Sequence, residues 1–97
     1  PSTEGVAIRT LGKLPVEIMR QAKTAQFTRV DVRELRNACR WVWHAHGIRT
    51  ELGGCTALAA ALRETPPGGT AMCVISGSNI DADLHAKIVM QSPETAP

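Results

Sequence analysis

The stretch DVRELRNACRWVWHAHG, residues 31–47, constrains this fold more than any other part of the chain. It holds a start signal, a buried face and a stop signal in one unbroken run. Asp31, followed three residues later by Glu34, has the spacing of a capping box, in which each side chain accepts from the other's backbone N–H. Leu35, Ala38, Cys39, Val42 and Ala45 recur at three- and four-residue steps, so they share one face of a helix. Gly47 stands where the chain must leave that helix through a left-handed conformation. Such a helix has to bury its apolar stripe on something, and 97 residues leave room for one core only.

On either side, apolar segments alternate with helical ones. A β-branched stretch at 6–9 lies between Gly5 and Gly12. Pro15 suits a first helical position, Glu17 the positive end of the helix and Arg20 and Lys23 the negative end, so the spacing predicts a short helix over 15–23. Phe27, Thr28 and Val30 predict a brief strand, and 48–51 another. The run CTALAAALRE, 55–64, is rich in the best helix former and must pack closely because its side chains are small. TPPGGT then breaks it. The nearly continuous apolar run AMCVIS, 71–76, reads as a strand buried on both faces. A last helix starts at Asp81 or Asp83 and runs through LHAKIVM, leaving QSPETAP, 91–97, as a frayed tail. Strand and helix thus alternate, which predicts an α/β unit over 1–90 with short parallel strands joined by right-handed crossover helices.

Composition excludes several function classes. The net charge is +2, from 11 basic and 9 acidic residues scattered along the chain, too little and too dispersed for a nucleic-acid surface. Aromatic residues make up 3% of the chain, so base-stacking platforms are not expected either. No apolar run approaches the roughly 20 residues of a membrane span. PSTEGVAIRT is not a signal peptide, since no basic region precedes an apolar core. The chain does not begin with Met, so it is expected to be trimmed or cut from something longer. Cys39, Cys55 and Cys73 are odd in number, with no CxxC spacing, and are expected to be reduced thiols in a cytoplasmic protein.

The apolar run 71–76 ends abruptly at Ser76-Gly77-Ser78-Asn79. In open parallel sheets, ligands sit beyond the carboxyl ends of strands, and this cluster lies at such an end. Gly77 permits a tight turn or a close backbone approach. The Ser76 and Ser78 hydroxyls and the Asn79 amide both donate and accept. On the residues alone, an ordinary strand-to-helix turn capped by Asn79 or Asp81 stands beside a binding site.

CVISGSNIDADLHAKI resembles the C-terminal segment of the threonine dehydratase and serine racemase family, where a strand ends in SGGN before an aspartate-bearing helix. TEGVAIRT looks like that family's ADGIAV loop. VDVRELRNACRWVWHAHGIRTELGGCTALAAAL looks like its strand, long helix and EPxG segment opening an Ala-rich helix. The likeness runs from residue 3 to about 90 in order and spacing. It implies part of a fold-type II pyridoxal 5'-phosphate enzyme, a lyase that converts a hydroxy amino acid such as threonine or serine to a 2-keto acid and ammonia by β-elimination, or a racemase. By the same likeness, Ser76 would bond the pyridine nitrogen of the cofactor. Gly77, Ser78 and Asn79 would shape the loop, and Glu51 would lie near the ring. A hydroxyl at the ring nitrogen, unlike a carboxylate, does not enforce its protonation.

This sequence departs from the family at several points. SGSN replaces SGGN, putting Ser78 where a glycine is usual; a positive φ there would strain it by about 1 kcal/mol. ELGG replaces EPxG, and Glu4 replaces an aspartate. Lys13, Lys23 and Lys87 lie in no motif like that of the family's Schiff-base lysine, and Gly53-Gly54 and Gly68-Gly69 are isolated pairs, not a phosphate loop. No residue of 1–97 is therefore assigned a catalytic role. The expected partners are the N-terminal remainder of the enzyme or a second subunit in a homo-oligomer, with a small amino acid as substrate. The competing reading is a stand-alone, non-catalytic binding or self-assembly module.

His44 and His46 lie two residues apart on different helix faces and do not form a metal pair; His85 is distant in sequence. Trp41 and Trp43 also diverge, so at least one is expected to be exposed and covered by missing protein. Cys55, near a helix start, would have a lowered thiol pKa if reactive and an apolar setting if it only packs. Thr56 is a candidate cap for that helix. Arg33, Arg36 and Arg40 read as a solvated face pairing locally with Glu34.

Overall fold

The computed structural model describes residues 12–22 and 25–92. Their architecture is helical: α1, Lys13–Gln21; α2, Val32–His46; α3, Thr56–Glu64; and α4, Ala82–Val89, with a 3₁₀ turn at Gly53–Cys55 ahead of α3. The capping box on α2 forms in full, Asp31 Oδ1 accepting from Glu34 N at 2.8 Å and Asp31 N donating to Glu34 Oε1 at 3.1 Å. At the other end Gly47 takes φ 66°, its N–H reaching Trp43 O at 2.8 Å, while Ile48 N reaches Val42 O at 3.3 Å. These bonds occupy carbonyls that the last turn leaves without helical partners.

α2 is the spine. Its residues Leu35, Ala38, Cys39 and Val42 form the core with Leu52 and Cys55 of the connection, Leu58 and Ala59 of α3, and Ile88 of α4. α3 and α4 both pack on α2, and α1 packs on no other helix. The small side chains of α3 allow the close approach that the alanine run required. Ala45, expected on the buried face of α2, is exposed, so the stripe ends at Val42.

The α/β expectation is overturned, because no strand or sheet exists among the described residues. The brief strands expected at 27–30 and 48–51 and the run at 71–76 are irregular, and the stretch 6–9 lies outside the described residues. A strand exists only through ladder bonds to a neighbour. The bonds that approach a ladder are Glu51 N to Gly77 O and Ser76 N to Gly54 O, both 3.1 Å. Nor is 71–76 buried on both faces. Cys73 and Ile75 pack against the core, while Met72 is 98% and Val74 71% exposed. A β-branched apolar run signals affinity for a pleated neighbour, and no strand among the described residues lies alongside it.

TPPGGT breaks the chain as expected, with Gly69 N bonded to Pro66 O at 2.9 Å and Gly68 at φ 78°, the position a type II turn reserves for glycine. The last helix is capped by Asp81, whose carboxylate accepts from Leu84 N at 3.1 Å; neither Asn79 nor Asp83 fills that role. No described helix is long and apolar enough to cross a membrane. Of the expected tail, Gln91 and Ser92 are exposed, and the rest lies outside the described residues.

Candidate functional site

Two of the three segments that carried the family likeness, 51–54 and 76–79, meet in space although more than twenty residues separate them; the third, TEGVAIRT, lies outside the described residues. The paired backbone bonds just described join them. Their packing leaves no room for side chains on either glycine. A Cβ on Gly77 would run into Glu51 Oε1 and lie 2.9 Å from its Cδ; a Cβ on Gly54 would run into Gly77 O and lie 2.8 Å from Gly77 N. Gly77 is thus required by the approach of Glu51, not by a turn, for its φ is not positive. The strain considered for Ser78 is absent as well, since no described non-glycine residue has a positive φ.

A cleft of about 760 Å³ opens beside this junction. Gly53 and Gly54 of the 3₁₀ turn and Ala57 of α3 line it, with Val30 and Val74 adding apolar wall and Thr28, Thr56 and Ser76 contributing hydroxyl-bearing residues. Its size is in the range of small-molecule sites. None of the described residues that line it is charged, and no lysine is among them. Ser76 lines this cleft. Gly77 and Glu51 are half-buried behind it, whereas Ser78 and Asn79 are exposed and lie outside the cleft lining.

One side of the cleft is held by a network that the sequence did not suggest. Arg63 donates to Glu34 Oε2 at 2.7 Å, to Thr28 Oγ1 at 2.6 Å and to Glu64 Oε1 at 3.1 Å, and Thr28 Oγ1 donates to Glu64 Oε1 at 2.9 Å. Hydrogen bonds from Thr28 and Arg63 hold the Glu64 carboxyl below its usual range. Glu34 thus serves both the α2 cap and Arg63 of α3. No local spacing could have revealed this, because the partners come from three separated segments.

Other expectations are settled by burial. Desolvation pushes the Cys55 thiol up to about 11, and its Sγ donates to Leu35 O and Leu52 O, so Cys55 is a packing residue and not a reactive one. Burial raises Cys39 likewise. Thr56 lies within the first turn of α3, and its hydroxyl donates back to Gly53 O at 2.7 Å instead of capping the helix. Arg40 is not solvated: it is buried, and its Nε donates to Ile88 O at 2.6 Å. Both tryptophans are half-buried, Trp41 edge-on to His46 and Trp43 edge-on to His85, so neither is the exposed ring expected. No group of three or more metal-binding side chains exists among the described residues.

No protein family model, curated protein or solved structure matches the chain.

Proposed function

We propose that this chain is the C-terminal portion of a pyridoxal 5'-phosphate-dependent lyase of the threonine dehydratase and serine racemase kind, inactive by itself. The observation that supports the reading is the meeting of ELGG with SGSN beside a cleft that Ser76 lines. The residues fit one edge of the cofactor and no more. Ser76 would take the ring nitrogen, and the bare backbone of Gly53 and Gly54 would let a flat ring approach closely. Glu51, seated over Gly77, would keep the loop in place and add negative charge behind it. When bound, the cofactor supplies the electron sink for loss of the α-proton and the β-hydroxyl. The lysine that anchors it and the phosphate cradle come from polypeptide other than residues 1–97 or from a second subunit.

The decisive experiment expresses the longer polypeptide encoded around this segment and measures cofactor absorbance and keto-acid release from serine and threonine. Bound cofactor, with an absorbance spectrum altered by Ser76→Ala, is the expected result. A longer polypeptide that retains no cofactor, or one whose spectrum ignores Ser76→Ala, ends the reading.

The helical core favours a second reading. With neither a sheet nor a cleft-lining lysine among the described residues, the chain can act as a non-catalytic binding or self-assembly module. A well-folded, self-associating 97-residue species that binds no cofactor would select it.

A further inference from the structure

The contacts that hold α4 on α2 are electrostatically one-sided. Arg40 Nε donates to Ile88 O at 2.6 Å, and His44 Nε2 bonds Val89 O at 2.7 Å. Both carbonyls belong to the last turn of α4, the negative end of its dipole. One turn earlier His85 is 3% exposed. Its ring meets Trp43 edge-on, with centroids 4.9 Å apart and planes at 83°. Its Nε2 is buried without a hydrogen-bond partner. Arg49, just beyond α2, is the charged group that acts on this ring.

No carboxylate of the described residues is among the groups that act on this ring. Glu34, the acid of α2, is at the far end of that helix, bonded to Arg63 and to the α2 cap. Asp81 and Asp83 are exposed in the first turn of α4, and the Asp81 carboxylate is taken by Leu84 N. Lys87 is exposed on α4.

We propose that His85 is a pH-sensitive latch: neutral, it lets α4 dock on α2, and protonated, it drives α4 off. A proton placed on Nε2 would create a buried cation with no acceptor. Burial, and secondarily the Arg49 guanidinium, hold the ring below the ordinary imidazole value of 6.5. The undocked state therefore binds more protons than the docked one. Docking is fully stable above that value and weakens as pH falls through it. α4 follows directly on the 76–79 loop, so its release also loosens the junction with Glu51 and Gly54. This inference does not depend on the cofactor reading.

The test uses the full chain. Histidine ring signals are titrated by NMR, and amide hydrogen-exchange protection is measured for α3 and α4 at about pH 7.5 and 5.5. His85 should titrate below 6.5 while folded. Protection of α4 should drop severalfold at the lower pH while α3 changes less. His85→Leu should abolish that difference, and Arg49→Gln should reduce it. If His85→Leu does not fold, the wild-type titration and Arg49→Gln decide alone. A folded-state titration of His85 at or above 6.5, or equal changes in α3 and α4, overturns the proposal.

Discussion

α1 and α2 are both amphipathic, yet α2 buries five residues and α1 buries none. The difference does not lie in the apolar spacing. α2 has a capping box at one end, a left-handed glycine at the other, and two helices against its stripe. α1 has no side-chain cap, and its Leu14 and Ile18 are 70% and 58% exposed. An apolar stripe says that a helix can be buried; the partner decides whether it is.

The comparison breaks most readily at the core. Ile88→Ala, at a fully buried site on α4, should cost about 2–5 kcal/mol in urea unfolding followed by circular dichroism. Ile18→Ala in α1 should change stability by about 0.5 kcal/mol or less. Equal losses would mean that α1 is packed in solution. Gly54→Ala should follow at about 1–3 kcal/mol, because its methyl meets Gly77 backbone that has no rotamer to yield. Gly77→Ala should cost less, since the Glu51 side chain can swing away. Asp31→Ala should cost about 1 kcal/mol, from loss of the N–H bond at the α2 start. A null result there would show that the Arg63 network alone holds Glu34 and the helix end.

Much of this was legible from sequence. The bounds and both caps of α2, the break at TPPGGT and the alanine helix depend on neighbours within four residues, where periodicity and capping chemistry are direct. The meeting of ELGG and SGSN could not be read from spacing, because more than twenty residues separate the two segments. The sheet was misread because a β-branched run declares a preference without naming a neighbour, and 71–76 pairs with no strand among the described residues. Arg40 and His85 were missed for a related reason. A polar residue on a helix reads as solvated until the carbonyls or rings of another element come over it.

The sequence by itself determined where α2 begins and ends, since its caps are local hydrogen bonds and φ preferences closed within a turn or two; α1, without such a cap, runs Lys13–Gln21 instead of the expected 15–23. Tertiary structure alone decided which stripe is covered, which glycines must lack a Cβ and which histidine is shut away from water. Those outcomes depend on what approaches from distant parts of the chain.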